Sequence, residues 1–557
     1  MVDSSRERVA QHSHSHVEPP HSPGDGDMAS RASYAGCMRL AAIDVGSNSV
    51  HMIIADVTRE GHIEIVDRVK ELVRLGRRSF TTGRLTDEAM DMTVRTLAYF
   101  RRLAKLRRVG RMRAVATSAV REAHNRGEFI RRIKRETGIE VEIISGKEEA
   151  RLIFAAARHA LGLEGGPYLL VDVGGGSAEF VLVKDGRPLW MKSAKLGAAR
   201  LTERFLIDDP PTMAQRKRLE RHLEDEIGDL MREARRGGVV RAIGTSGSIN
   251  TLVAMARAAR GEELGRLHGA TASASEITAV TEQVLEADAA SRAELPGIDA
   301  KRADQIVAAG MLTDFVLRRS GAPELAACGW AMREGVLLGL IPRHESRRSP
   351  DARRRSVTGL AARFSGDNVH GRHVAKLALT LFDATAIALG LDDAARELLE
   401  YAALLHDIGH AIEHDRHNRH SYYLIKNGEL LGFDPEEIEI LALAARGHRK
   451  QGGQFYPDEL SGLSPTARRT ARGLAAILRV ADGLDRSHFG VVRKLKTRFS
   501  PGRLVIEVGT TRDSVDLELW TCERRTDLLA KLLDRRIILR DEGAAPVSKA
   551  ARAENVR

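Results

Sequence analysis

Residues 43–54, IDVGSNSVHMII, and residues 171–182, VDVGGGSAEFVL, read as one motif written twice at a constant offset of 128. Asp44 matches Asp172, Gly46 matches Gly174 and Ser49 matches Ser177. In each copy an apolar run reaches an Asp, a Gly-rich turn follows, and a second apolar run leaves the turn, which is the pattern of strand, tight loop and strand. Two copies predict two similar subdomains facing each other across a cleft.

Outward from this pair, residues 39–342 alternate β-branched apolar runs with helical patterns, which predicts an α/β architecture. Strands are expected at 39–45, 50–57, 113–117, 140–144, 168–173, 178–183 and 239–243. Helices are expected at 86–107, 127–137, 148–161, 213–235, 248–260, 274–287 and 301–319. We divide this region into a first lobe, 39–152, and a second, 153–342. Residues 343–356, RHESRRSPDARRRS, are basic and turn-rich and read as a linker. The stretch 357–490 is helical in pattern throughout. Residues 491–540 predict a small α+β piece, with a strand pair at 503–508 and 514–520 and one helix. The ends, 1–38 and 541–557, lack periodicity and read as disordered tails.

Gly-rich turns after strands suit phosphate, because several backbone N–H groups can converge on an anion. Three such turns occur: Gly46, Ser47, Asn48 and Ser49; Gly174, Gly175, Gly176 and Ser177; and Gly244, Thr245, Ser246, Gly247 and Ser248. The third opens a helix, whose dipole adds to the anion site. An Asp beside a phosphate loop repels the ligand unless a divalent cation lies between them. Asp44, Asp172 and Glu179 are therefore candidate Mg²⁺ ligands.

Ser145 and Glu148 have the spacing of a capping box, which gives Glu148 a structural task and leaves Glu149 without one. A carboxylate in the first helical turn at a cleft edge can take a proton from water, so Glu149 is the candidate general base. Arg121 follows a predicted strand, and at the cleft lip it would neutralise charge on a transferring phosphoryl group.

Together IDVGSNSVHMII, ATSAVREAHN, SGKEEARLIF, LLVDVGGGSAEFVLV and AIGTSGSINTL resemble, in content and order, the exopolyphosphatase/guanosine pentaphosphatase (Ppx/GppA) family. The resemblance implies two ribonuclease-H-like lobes of the actin-like superfamily around a Mg²⁺-phosphate cleft. It implies Glu149 as the catalytic glutamate, Asp172 and Glu179 as acids of the second loop, and Arg121 as the family's arginine. The activity it implies is release of terminal orthophosphate from inorganic polyphosphate. Guanosine pentaphosphate is the alternative substrate, with guanosine penta- or tetraphosphate as a partner. A non-catalytic polyphosphate- or alarmone-binding regulator is the alternative of another class. A kinase on the shared fold has no adenosine motif to support it.

The helical region carries a second constellation: His373, His406-Asp407 in LLHDIGH, and Asp482 in RVADGLDR. This is the ligand set of HD phosphohydrolases, and two imidazoles with two carboxylates suit a divalent transition metal. His420 and His448 are candidates for a second ion.

Lys+Arg exceeds Asp+Glu by 87 − 76 = 11, which favours a polyanionic partner. The runs 101–113 (RRLAKLRRVGRMR) and 131–135 (RRIKR) are candidate paths for it. Aromatic residues make up only 4%, which argues against stacking platforms for single-stranded nucleic acid, so no nucleic-acid partner is expected. No apolar run is long enough for a membrane span. Cys37, Cys328 and Cys522 are far apart, so neither a disulfide scaffold nor a cysteine zinc site is expected, and a reducing, cytoplasmic setting fits. These observations leave room for a homodimer.

Overall fold

The structure is a computed structural model that describes residues 37–58, 62–262, 265–341, 352–449, 455, 457–510 and 514–542. The stretches read as disordered tails lie outside these residues, apart from their innermost positions, where Met38 opens one strand and Asp541 closes another.

Five strands form the first sheet: β1 (Met38–Val45), β2 (Ser49–Val57), β3 (Ile63–Leu72), β4 (Arg111–Ala116) and β5 (Val141–Ile143). Their order is β3-β2-β1-β4-β5. β1, β2 and β3 pair antiparallel, while β4 and β5 join in parallel. The second sheet contains β6 (Tyr168–Val173), β7 (Ala178–Lys184), β8 (Arg187–Ala194), β9 (Arg241–Gly244), β10 (Thr271–Ser273) and β11 (Glu324–Ala327). Its order is β10-β11-β9-β6-β7-β8. The run β8-β7-β6-β9-β11 repeats the first sheet strand for strand and direction for direction, with β10 added at one edge. The duplicated motif is thus a duplicated sheet, as its sequence predicts.

The repeat extends to register. Asp44 faces His51 across its hairpin, and Asp172 faces Glu179 across the equivalent one. The turns close alike: Gly46 N–H donates to the Ser49 carbonyl at 3.1 Å, and Gly174 N–H to that of Ser177 at 3.0 Å.

Helices Asp87–Leu106 and Arg126–Thr137 pack on the outer face of the first sheet through Met90, Val94, Leu97, Phe100, Phe129 and Ile133. Helices Met213–Arg236 and Ile306–Ser320 do the same for the second sheet. Two further helices, Gly146–Leu161 and Met332–Leu338, share one buried core with both sheets. Leu152, Ile153, Ala156 and Val336 there meet Leu40 and Ile53 of the first sheet and Val181 and Val183 of the second. The two helices touch closely at Gly335, where a Cβ would lie 2.0 Å from the Leu152 carbonyl oxygen. The 152/153 division falls inside the first of these helices, and the second packs against β1, not against the sheet that precedes it in sequence.

Of the basic stretch read as a linker, residues 352–356 begin the helix Ala352–Ser365; the preceding 342–351 lie outside the described residues. Helices Val369–Leu389, Asp393–Leu405, His417–Asn427, Pro435–Gly447 and Pro465–Gly483 complete a helical domain. The C-terminal piece differs from expectation. The strand at 503–508 is present as β13 (Arg503–Thr510), flanked by β12 (Val492–Ser500) and β14 (Arg536–Asp541). Residues 514–520, however, enter a helix, Asp516–Glu523, and a second helix follows at Asp527–Leu533. Leu504, Ile506, Val508 and Cys522 share the core of the helical domain, so this piece is packed onto it.

No helix among the described residues is long and apolar enough to cross a membrane.

Candidate active site

The two equivalent hairpin turns face each other across a cleft of about 390 Å³. A Cβ on Gly175 would lie 3.2 Å from that of Ser47, so the turns are in contact range. At Gly176 a Cβ would fall 2.1 Å from Ser118 Oγ and 2.4 Å from the Phe80 ring, which leaves glycine the only residue that fits. Ser47 is buried; its Oγ lies 3.1 Å from Ser118 Oγ and accepts from Ala119 N–H at 3.3 Å.

The third turn leaves β9 at Gly244 and enters the helix Gly247–Ala259, capped by Ser246 Oγ accepting from Ile249 N–H at 3.2 Å. Thr245 Oγ1 donates to Asp172 Oδ1 at 2.5 Å and ties this turn to β6. All three turns therefore open on the same cleft, with the N-terminus of a helix at one wall.

Glu149 sits in the first turn of the helix Gly146–Leu161, and only 7% of it is exposed. Ser145 caps this helix by accepting from Glu148 N–H at 3.2 Å. The expected return bond from the Glu148 side chain is not made; Glu148 instead grips Arg151 through two contacts of 2.7 Å. Glu148 is thus turned to Arg151, and of the two only Glu149 lines the cleft. Its Oε2 accepts from Arg121 Nη1 at 3.1 Å, and the same nitrogen donates to the Ile144 carbonyl at 2.9 Å. Burial raises the Glu149 carboxyl to about 7; Arg121 opposes the rise and Asp172 adds to it. Arg121 does not line the cleft itself.

Asp44, Asp172, Glu149 and Glu179 form a set of mutually repelling acids. Asp44 is raised to about 8, first by desolvation and then by Glu149. Asp172 is raised by burial. Glu179 is raised well above the carboxylate range by burial, then by Glu149 and Asp172. Ser193 Oγ donates to Glu179 Oε1 at 2.8 Å, but Glu179 Oε2 and Asp44 Oδ1 are shut from solvent with no hydrogen-bond partner. A divalent cation is the group that would let these carboxylates ionise together, so the residues present fit a Mg²⁺ ion.

Four basic side chains that motif reading overlooked also line the cleft: Arg68, Lys70, Arg302 and Arg333. Arg333 is held by Glu334 at 2.9 Å and by His51 Nδ1 at 3.1 Å. Their signal in the sequence is faint, because Arg68 and Lys70 lie on β3 while Arg302 and Arg333 come from two distant segments. The two basic runs that did stand out lie elsewhere. Neither 101–113 nor 131–135 lines the cleft, and several members are paired: Arg107 with Asp67 at 3.0 Å, Arg113 with Glu142 at 2.9 Å, Arg132 with Asp91 at 2.6 Å and Lys134 with Glu140 at 2.7 Å.

In the helical domain, His406, Asp407 and Asp482 come together, with His406 Nε2 3.5 Å from Asp407 Oδ1 and 3.6 Å from Asp482 Oδ1. The third member differs. His370, one helical turn before His373, reaches Asp482 at 3.4 Å, while His373 lies beside Gly490. Likewise His417, one turn before His420, joins His448, and His420 turns to Glu413 at 3.4 Å.

Comparison with known proteins places this geometry. Residues 53–344 match the model of the Ppx/GppA phosphatase family, and residues 352–508 match that of Ppx/GppA phosphatase, domain III. Exopolyphosphatase 1 of Mycobacterium tuberculosis is 34% identical over 304 residues, covering 54% of this chain and 88% of that protein. Its counterpart in Mycobacterium leprae is 33% identical over 302 residues, covering 54% and 89%. The crystal structure of an exopolyphosphatase from Cytophaga hutchinsonii superposes with a TM-score of 0.52 at 30% identity, covering 54% of this chain and 97% of that one.

Proposed function

On the premise that this chain belongs to the Ppx/GppA phosphatase family and is a hydrolase of phosphoric anhydrides, we propose that it is an exopolyphosphatase. The observation that carries this reading is the buried Glu149 carboxyl, raised to about 7 beside Arg121 in the wall of a cleft bounded by three amide-lined turns.

The terminal phosphoryl group of polyphosphate lodges among the turns at Gly46–Ser49, Gly174–Ser177 and Gly244–Ser248, where backbone N–H groups and the helix N-terminus at Gly247 meet its oxygens. Glu149 accepts the proton of the attacking water as its oxygen bonds to the terminal phosphorus. The anhydride P–O bond breaks, and the shortened chain leaves with the electron pair. Arg121 holds Glu149 in line from behind the cleft wall. Asp44, Asp172 and Glu179 would hold Mg²⁺, which when bound supplies positive charge against the substrate's phosphate oxygens.

The lining favours a phosphate polymer over a guanosine nucleotide. Arg68, Lys70, Arg302 and Arg333 contribute cations, and no Phe, Tyr or Trp is among the described lining residues to stack a purine. The test is orthophosphate release from long polyphosphate and from guanosine pentaphosphate, assayed in parallel with Mg²⁺ for the parent and Glu149→Gln. Faster turnover of the polymer, lost in the variant, supports the reading. Preference for the nucleotide reassigns the substrate, and no release from either leaves a binding protein.

A further inference from the structure

Four side chains form a line from the buried core to the first hairpin turn. Glu334 is fully buried, and both of its oxygens are engaged: Oε2 accepts from Ala331 N–H at 2.8 Å and Oε1 from Arg333 Nε at 2.9 Å. Arg333 Nη1 lies 3.1 Å from His51 Nδ1, and His51 Nε2 lies 2.6 Å from Ser49 Oγ. Arg333, His51 and Ser49 all line the cleft.

Each link has a direction. A guanidinium only donates, so His51 Nδ1 must accept with its lone pair. The ring proton is then on Nε2, and with one nitrogen bare the ring is neutral. Burial, then the charges of Arg333, Lys70 and Arg302, hold the ring well below the usual histidine range, in keeping with that tautomer. Nε2–H therefore donates to Ser49 Oγ. A hydroxyl that accepts on a lone pair still has its own proton to give, and Ser49 Oγ has no other hydrogen-bond partner among the described residues. The direction left for that proton is the cleft.

The second hairpin is wired the other way. At the offset of 128, Glu179 stands where His51 stands and Ser177 where Ser49 stands. An ionised carboxylate only accepts, and the hydroxyls of Ser193, at 2.8 Å, and of Ser177 favour the ionised form of Glu179. There the serine protons serve the carboxylate. The two hairpins thus divide the site: the second gathers negative charge for a cation, and the first turns a hydroxyl proton towards an anion.

We propose that His51 is a positioning residue: Glu334 and Arg333 fix its tautomer, and it sets the polarity of Ser49, whose hydroxyl donates to an oxygen of the terminal phosphoryl group. The relay rests on the exopolyphosphatase reading for the identity of its anion.

The test measures binding of methylenediphosphonate, whose P–C–P bridge resists hydrolysis, to the full chain with Mg²⁺ by calorimetry, and kcat and KM on polyphosphate in the same variants. Ser49→Ala is expected to weaken binding about 10- to 100-fold, the loss of one hydrogen bond to a charged group, and to raise KM with kcat within a few-fold of the parent. His51→Phe is expected to weaken binding to a similar degree, and the double variant of Ser49→Ala and His51→Phe no further, because the ring acts through the hydroxyl. His51→Gln, which can accept from Arg333 and donate to Ser49, is expected to bind within a few-fold of the parent. Undiminished binding in Ser49→Ala, or losses that multiply in the double variant, overturns the proposal. Equal losses in His51→Gln and His51→Phe overturn it too, since the ring would then serve packing alone. If the histidine variants misfold, a crystal of the parent with the probe decides: Ser49 Oγ farther than about 3.5 Å from every phosphonate oxygen overturns the proposal. Binding is read without turnover. A parent that binds through Ser49 yet releases no orthophosphate refutes the exopolyphosphatase reading alone, whereas Ser49→Ala with parental kcat/KM on polyphosphate refutes the relay alone.

Discussion

Arg121 Nη1 sits 3.1 Å from Glu149 Oε2 and 2.9 Å from the Ile144 carbonyl, so one guanidinium nitrogen spans the base of β5 and the helix that follows it. The pairing fixes where the Glu149 carboxylate points and partly offsets the rise in its pKa. A surface arginine would do neither.

Glu149→Gln removes the proton acceptor but keeps size and hydrogen-bonding capacity. Turnover on polyphosphate should fall by roughly 10²–10⁴ with KM little changed, the usual share of general-base catalysis. Steady-state phosphate release checks it; a kcat within a few-fold of the parent would assign the base elsewhere.

The pH profile should rise through a limb near 7, because Glu149 acts as its carboxylate and burial lifts that group to about 7. In Arg121→Ala the opposing cation is gone. The limb should then move to higher pH, and kcat should drop about 10- to 100-fold, the loss of one charged hydrogen bond worth about 1.5–3 kcal/mol. A limb that stays in place in the variant would dissociate Arg121 from Glu149.

Removing divalent cations should make stability pH-dependent. Asp44 is raised from an ordinary carboxylate value to about 8, and Glu179 is raised too, so folding favours their protonated forms. Stability therefore declines as pH climbs from about 4 towards 8 and levels off above it. In EDTA the melting temperature should be lower at pH 8 than at pH 6, and Mg²⁺ should restore more at pH 8. Asp44→Asn should flatten the slope; thermal melts across pH read it directly.

Lys70→Ala and Arg302→Ala should each raise KM for long polyphosphate roughly five-fold, about 1 kcal/mol for a lost charged contact, and weaken its salt dependence. Substituting Arg101 and Arg102 with Ser should leave KM unchanged, since those side chains lie away from the cleft. The reverse outcome would return the polymer path to the outer helices.

Gly176→Ala tests the closeness of the turns. The added methyl would meet Ser118 Oγ and the Phe80 ring, and such overpacking costs about 1–3 kcal/mol. A lower melting temperature and reduced turnover are expected together; an unchanged melt would mean the turn yields.

The duplicated sheet could be read in advance because Asp44 and Asp172 sit at the same point of two Gly-rich hairpins, a signal that needs no tertiary context. β3 and β8 were missed because both are edge strands with much of their length facing solvent, which breaks apolar alternation. Residues 514–520 show the opposite failure. Val515, Leu517 and Leu519 alternate like a strand, yet burial follows Val515, Glu518, Thr521 and Cys522, the spacing of a helix. In the helical domain His370 and His373, like His417 and His420, are one turn apart, and motif spacing cannot choose between them. Only the position of Asp407 relative to the helix ends does so. The cleft cations were hidden because Arg68 and Lys70 on β3 lie far along the chain from Arg302 and Arg333, whereas the conspicuous runs lie outside the cleft lining, with Arg107, Arg113, Arg132 and Lys134 in ion pairs.

The helices Gly146–Leu161 and Met332–Leu338 pack on each other, the first against β7 and β8 and the second against β1, so one buried core joins both sheets. Neither copy of the ancient repeat consequently owns a complete interior. A chain severed before residue 332 would strip an apolar lining from β1 and should precipitate, so the two halves, although nearly twins in plan, have become inseparable.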